Sequence, residues 1–255
     1  MPTNGLLPDR ALRWAEAIRA RRRHPLVFLS FSLDGAPDVH DRVRGVPGGF
    51  RKTWESYERV RRAVRDDPSF VVNIETTVSR LNLEGIDAFL RPLQEEGHTV
   101  TVTFAHNAHL YRNEGKGSVS PFDDRPRMAH IVRALRARIP RTSPKGWVDR
   151  RYLDGVLRFA ANPRRQPAPC TALEASVVLD AKGYVHPCLM WGHPLGNVRE
   201  TGYAIGPILA SAAAREARRT VRREKCPNCW TPCEAYQSII ARTLRPWRGR
   251  CPPPP

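Results

Sequence analysis

Short apolar runs alternate with amphipathic stretches along the first part of the chain. Three runs are expected to be strands: 26–33, which is short and apolar, 70–78, which is rich in β-branched residues, and 99–104. Three stretches carry apolar residues at helical spacing: 8–22, 50–65 and 83–96. Asn82 is the expected cap of the third helix, and a Gly/Pro-rich loop is expected between residues 35 and 49. Strands that alternate with such helices predict β-α units, a parallel sheet and an α/β fold class.

The pattern changes after residue 104. A polar loop is predicted over residues 107–126, and residues 140–146 are the expected linker between the helices at 128–139 and 148–161. Further on, strands at 175–180 and 184–188 flank Gly183, which predicts a β-hairpin with glycine at the turn. A helix is predicted at 234–243, followed by a proline tail. Two domains are expected, at residues 1–140 and 147–250.

The six cysteines of the chain are concentrated in its last third, and none precedes Cys170. The N-terminus has no basic stretch followed by an apolar core, so no export signal is expected and neither is an oxidising compartment. Clustered cysteines in a reducing compartment more often bind metal than form disulfides. The sequence therefore predicts a metal centre.

Four of these cysteines have a spacing that suits metal ligation. Cys170 precedes the predicted hairpin and Cys188 ends it, so the hairpin brings the two thiols together. Cys226 and Cys229 are separated by two residues, which lets both sulfurs face one metal or cluster. Four thiolates suit a 4Fe-4S cluster, which we favour, or a tetrahedral zinc, and the spacing alone leaves both open.

Each of the remaining candidate metal ligands has an alternative interpretation. Cys233 is a further candidate ligand, or a buried small apolar residue at the start of the last helix. Cys251, beside the prolines, is expected to be a free thiol. His186 and His193 flank Cys188, where a histidine more often donates a hydrogen bond near a cluster than ligates it.

The cysteine spacing resembles a known module. Cys170, twelve residues, Gly183, four residues and Cys188 resemble the opening of the SPASM/twitch module found at the C-terminus of many radical S-adenosylmethionine (SAM) enzymes. The segment 195–198 and the pair Cys226 and Cys229 fit the same resemblance. The resemblance implies an auxiliary 4Fe-4S cluster and is closer to the twitch form, which holds one such cluster.

The first half of the chain supports the same resemblance. The stretch Ser32-Leu33-Asp34-Gly35 and the segment 40–50 resemble the fourth strand of the radical SAM β/α barrel. In that family polar side chains at this strand end approach the ribose of the cofactor, so the resemblance implies that Ser32 and Asp34 bind S-adenosylmethionine. Strand C-terminal ends are where α/β folds bind ligands. The resemblance implies the C-terminal half of such a barrel followed by a small cysteine-rich module.

The chain departs from the family at its defining motif. C-x-x-x-C-x-x-C binds the cluster that cleaves S-adenosylmethionine, and the sequence has no cysteine before residue 170. The opening segment 3–7 resembles the end of the family's third strand, so a truncated barrel is expected, with the strand at 26–33 as an unpaired, apolar edge. The expected function is that of an iron–sulfur fragment of a SAM-dependent radical enzyme, inactive alone. The alternative is a non-catalytic 4Fe-4S or zinc module that serves a partner structurally or in electron transfer.

Partners and location follow from the same observations. An N-terminal radical SAM half or an electron donor is the expected partner, S-adenosylmethionine binds only with that half present, and the substrate is a peptide or a small molecule. The net charge of +17 is carried mainly by arginines spread over several helices, which indicates solvated helix faces rather than nucleic-acid binding. No apolar run is long enough for a transmembrane helix, so a cytoplasmic protein is expected.

Overall fold

The computed structural model describes residues 1–21, 26–111, 113 and 119–244. Contacts between Cα atoms divide the chain into two compact units. The first comprises residues 1–105 and 119–121, and the second comprises residues 106–118 and 122–255. This is a different division from the expected domains at 1–140 and 147–250, which stay a prediction.

The first unit is a parallel sheet with helices between its strands. The strands are β1 (Pro2–Thr3), β2 (Val27–Ser32), β3 (Phe70–Val78) and β4 (Val100–Phe104), in that spatial order. All neighbouring pairs run parallel. The helices are α1 (Pro8–Arg21), α2 (Pro37–Arg44), α3 (Gly49–Ala63) and α4 (Ile86–Glu95). The α/β fold class is confirmed.

One face of this sheet forms the core of the unit. Phe31 of β2 and Ile74 of β3 are fully buried, together with Ala15 of α1 and Tyr57 of α3. Polar side chains occupy the other face, where Asn73 Nδ2 donates to Ser30 Oγ at 3.2 Å and Thr101 Oγ1 donates to Asn73 Oδ1 at 3.1 Å. Alternation of buried apolar and polar positions along β2 and β3 therefore follows the two faces.

Three local expectations for this unit are wrong. Residues 37–44 form helix α2 instead of a loop, because Pro37 is favourable in the first helical turn and Gly45 ends the helix at φ +66°. Asn82 does not cap α4, whose N-cap is Gly85; its side chain donates to the carbonyls of Asp34 and Thr77 instead. β2 is not an open edge either, since β1 pairs with it.

The second unit combines three longer helices with a small sheet. The helices are α5 (Arg125–Arg138), α6 (Pro144–Ala161) and α9 (Pro232–Leu244), and α6 packs against both others. The sheet is antiparallel, with strands β5 (Val178–Leu179), β6 (Tyr184–His186) and β7 (Gly196–Asn197). The short α7 (Gly206–Leu209) and α8 (Ala212–Arg222) follow. The predicted hairpin is confirmed, with β7 as an additional strand.

Helix α6 begins inside the expected linker. The Ser143 hydroxyl accepts from the Gly146 N–H at 2.9 Å, and Pro144 follows this cap in the first turn. A serine cap followed by proline is a strong helix start, so the helix begins four residues before the expected position of 148. The predicted loop at 107–126 and the proline tail lie partly or wholly outside the described residues.

Candidate metal centre

Cys170 and Cys188 lie on either side of the small hairpin. The Ala172 N–H donates to the Cys170 sulfur at 3.4 Å, and Cys188 follows β6 by two residues. The backbone N–H groups of Met190 and Trp191 hydrogen-bond to the Cys188 sulfur. The β5–β6 pairing thus brings together two thiols that are far apart in sequence, and each receives backbone donors.

Cys226 and Cys229 come from the segment between α8 and α9. Gln166 Nε2 donates to the Cys226 sulfur at 3.8 Å, and the Thr231 N–H hydrogen-bonds to the Cys229 sulfur. Trp230 anchors the segment, because it is 4% exposed and its Nε1 donates to the Tyr152 carbonyl of α6 at 2.8 Å. The position of Cys229 is therefore fixed by packing against a helix.

The four thiols meet in one cluster within the second unit. Buried Cys188 and Cys229 pack with Ala108, Ala172, Met190 and Val221, and half-buried Cys170 and Cys226 pack against this group. Burial is the largest cause of a raised pKa at all four thiols. It raises the pKa of Cys170 to about 12 and that of Cys188 to about 11, and raises the pKa values of Cys226 and Cys229 as well. Neighbouring cysteines raise the pKa further at Cys170, Cys188 and Cys229.

This donor set fits an iron–sulfur cluster. Cysteine thiolates hold such clusters, and hydrogen bonds to the sulfurs together with burial tune their potential. Here each of the four thiols has an N–H group directed at its sulfur. Four converging thiols with raised pKa values are also costly to ionise without a metal, so metal ligation would relieve that cost.

A single zinc ion and an iron–sulfur cluster require different spacings of the cysteine sulfurs. Within the described residues no three His, Cys, Asp or Glu side chains converge as closely as one ion requires. A tetrahedral zinc holds every sulfur at about 2.3 Å from one point. An iron–sulfur cube spaces its four thiolates farther apart, because each binds a different iron.

Cys233 and the two histidines were weighed as further ligands from the sequence. Cys233 is exposed, in the first turn of α9, and the expectation from the sequence that it is a ligand is put to an experimental test below. His186 Nε2 lies 3.4 Å from an Asp180 carboxylate oxygen, and the His193 ring stacks on Trp191. Cys251 lies outside the described residues.

The two positions expected to bind S-adenosylmethionine differ in accessibility. Asp34 is 1% exposed; its carboxylate pairs with Arg44 at 2.5 Å and accepts from the Thr77 N–H at 2.9 Å. Ser32 is half-buried at the C-terminal end of β2, opposite Glu75 in the register. Asp34 is therefore engaged within the unit, while Ser32 is partly exposed. Their contact with a cofactor stays a prediction.

Several residues around the thiols were not found from the sequence. Gln166 and Trp230 carry no motif, and the irregular segment before Cys170 gives no sign that Gln166 reaches Cys226. Glu234 is buried, accepts from the Ser176 hydroxyl at 2.7 Å, and raises the thiol pKa values of Cys170 and Cys188. An acidic residue in the first turn of a helix is common, so only its burial identifies it.

Comparison with known proteins places this arrangement in context. The SPASM family model, described as an iron–sulfur cluster-binding domain, matches residues 170–233. A relative named AdoMet-dependent heme synthase, from Methanosarcina barkeri, is 36% identical over 128 residues, which is 48% of this chain and 32% of the relative.

Solved structures share the fold. Native anSMEcpe with bound AdoMet and Cp18Cys peptide is 18% identical with a TM-score of 0.53, covering 86% of this chain and 59% of that one. A histidine-tagged anSMEcpe with bound AdoMet is also 18% identical, with a TM-score of 0.56, covering 86% and 58%. The chain thus spans about a third of the curated relative and less than 60% of these structures.

Proposed function

We propose that this chain, whose residues 170–233 match the SPASM iron–sulfur cluster-binding domain, is a protein of the radical SAM/SPASM type. In this proposal it holds an auxiliary 4Fe-4S cluster through Cys170, Cys188, Cys226 and Cys229. The cluster serves SAM-dependent radical chemistry whose cofactor-cleaving cluster is held elsewhere. When bound, an auxiliary cluster supplies one-electron transfer or a site for substrate. The observation that carries the proposal is the convergence of four thiols, each with an N–H donor.

The residues of the second unit perform three tasks in this proposal. The four thiolates hold the cluster. The hairpin and the buried Trp230 ring hold the thiolates in position. The N–H groups of Ala172, Met190 and Thr231 stabilise negative charge on the sulfurs. Apolar neighbours, among them Val221, limit access of water to the cluster.

The first unit is proposed to contribute to S-adenosylmethionine binding. Ser32 is the position that we carry forward for contact with the ribose, because it is partly exposed at the C-terminal end of a strand. Asp34 is proposed to hold the strand end in place rather than to contact the cofactor, since Arg44 and the Thr77 N–H engage its carboxylate. The substrate, a peptide or a small molecule, is not specified by these residues.

Partner and location belong to the same proposal. A radical SAM half that supplies C-x-x-x-C-x-x-C, or an electron donor, is the partner that we propose. Among the helices that the structure describes, none has both the length and the apolar character to cross a bilayer. We propose a cytoplasmic location, where the thiols stay reduced.

The test uses residues 1–255 reconstituted anaerobically with iron and sulfide. We expect about four irons per chain, negligible zinc, and an absorbance band at about 400 nm. With dithionite and S-adenosylmethionine we expect no 5′-deoxyadenosine above the enzyme-free background, because the chain has no cysteine before Cys170 to hold a second cluster. Zinc in place of iron would refute the cluster assignment. Formation of 5′-deoxyadenosine would refute the proposal that the cofactor-cleaving cluster is held elsewhere.

Cys233→Ser tests whether a fifth thiol is a ligand. We expect this variant to keep its iron content and its absorbance spectrum, because Cys233 is exposed whereas the four assigned thiols are buried or half-buried. Iron analysis and the visible spectrum of the reconstituted variant are the measurements. Loss of one iron per chain, or conversion to a three-iron spectrum, would instead establish Cys233 as a ligand.

A further inference from the structure

A wide, basic groove runs along α6 in the second unit, behind the cysteine segment. It has a volume of about 1030 Å³ and lies between α5, α6 and α9. Five arginines line it against a single carboxylate, that of Asp154: Arg136, Arg141, Arg150, Arg151 and Arg158. Neither the cluster nor the proposed cofactor site uses these residues.

The arginines of the groove are only partly neutralised. Arg136 pairs with Asp154 at 2.5 Å, and Arg150 donates to the Arg136 carbonyl at 2.7 Å. Arg141 and Arg158 are exposed, and within the described residues no carboxylate pairs with either. Burial lowers the guanidinium pKa of Arg150, and repulsion from Arg136 and Arg141 lowers this pKa further. The lining therefore has a surplus of positive charge that an anionic ligand would relieve.

The groove is elongated rather than round. Its α6 lining extends from Trp147 to Arg158, which is about 16 Å along a helix axis. Arg151 and Arg158 lie about two turns, or roughly 11 Å, apart along the helix axis. Three to four residues of an extended peptide, at about 3.3 Å each, span that distance. Ile239, Pro167 and Ala168 add apolar surface to the lining.

We propose that this groove binds an extended acidic segment of a partner protein, with its Asp or Glu carboxylates paired to Arg141, Arg158 and neighbouring guanidiniums. Guanidinium forks match carboxylates in a bidentate geometry, and apolar residues between the acids contact Ile239 and Pro167. The binding surface is independent of the proposed enzymatic role, since it requires neither a bound cluster nor S-adenosylmethionine.

Two observations favour a polypeptide over a single-stranded nucleic acid. Proteins that bind single strands stack bases on open aromatic faces. Here Trp230 is 4% exposed and stacked against Tyr152, and the Arg151 guanidinium lies 4.4 Å over the Trp147 ring. The described lining thus offers carboxylate-matching charge but little aromatic surface for bases.

The test measures fluorescence anisotropy of a labelled (Glu-Ala)5 peptide with the reconstituted full chain at about 0.15 M ionic strength. Arg141→Glu/Arg158→Glu is the groove variant. Arg51→Glu/Arg91→Glu is the control, because both arginines are exposed, lie in the first unit and change the net charge equally. Iron content and circular dichroism check that both variants fold.

We expect the groove variant to lose at least about tenfold in affinity and the control less than about twofold. A labelled ten-residue oligothymidine and tripolyphosphate should bind or compete at least about tenfold more weakly than the peptide. Equal losses in the two variants would mean that only net charge matters and would overturn the proposal. Tighter binding of the oligonucleotide, or tripolyphosphate that competes as well as the peptide, would overturn the choice of occupant.

Discussion

A chain carrying both Cys188→Ser and Cys229→Ser is expected to bind essentially no iron after anaerobic reconstitution. These are the two buried thiols of the cluster and come from two segments, the hairpin and the loop before α9. Serine preserves size but ionises only at high pH, so it does not replace a thiolate on iron. Iron per chain should fall from about four to near zero, and the band at about 400 nm should disappear.

The same double variant should also change stability in a defined way. A bound cluster contributes its binding free energy to the folded state, because the unfolded chain has no preformed site. Reconstituted wild type should therefore resist urea better than the variant, while cluster-free wild type and the variant should unfold at similar urea concentrations. Cys251→Ser is the matched control and should keep both the iron and the stability. A double variant that retained about four irons would refute the four-cysteine site.

The ligands could be predicted from the sequence because the spacing of cysteines restricts how they can meet. Cys226 and Cys229 are close on any backbone, and a hairpin with Gly183 at φ +90° brings Cys170 and Cys188 together. The cysteine spacing is compatible with both zinc and an iron–sulfur cluster and does not decide between them. The choice depends on how far apart the sulfurs lie and which N–H groups face them, which are properties of the packed loops.

The fold could be predicted where periodicity is strong and not where single side chains decide. β3 is predicted to the residue over 70–78, because its long β-branched run permits little else. Asn82 was assigned to a helix cap, since a capping asparagine and one that crosses to Asp34 and Thr77 look identical in sequence. The four-residue error at the start of α6 has the same origin, as Ser143 could act as a linker residue or as a cap.

The tertiary contacts of Trp230 are the clearest feature of the fold that could not be predicted from the sequence. Gly155 lies within α6, where glycine is unfavourable relative to alanine by about 1 kcal/mol. A Cβ at this position would overlap the indole ring of Trp230. The glycine therefore admits the ring that anchors the segment carrying Cys229, at a cost in helix propensity.

Gly155→Ala is expected to destabilise the protein and to lower its iron occupancy together. The indole cannot move freely, because its Nε1 donates to the Tyr152 carbonyl at 2.8 Å and the ring is 4% exposed. Overpacking of this kind costs about 1–3 kcal/mol in unfolding free energy and outweighs the gain in helix propensity. Because Trp230 follows Cys229 directly, displacement of the ring moves the thiol and weakens cluster binding.

Urea unfolding and iron analysis of the reconstituted protein measure both effects. Gly206→Ala is the control, since no atom lies within 4 Å of a Cβ built there and the residue begins a helix of the same unit. It should match wild type within about 0.5 kcal/mol. A stable Gly155→Ala protein with full iron content would show that the indole adjusts without moving Cys229. Loss in both measurements, absent from the control, would establish that a glycine contact on α6 positions a ligand of the cluster.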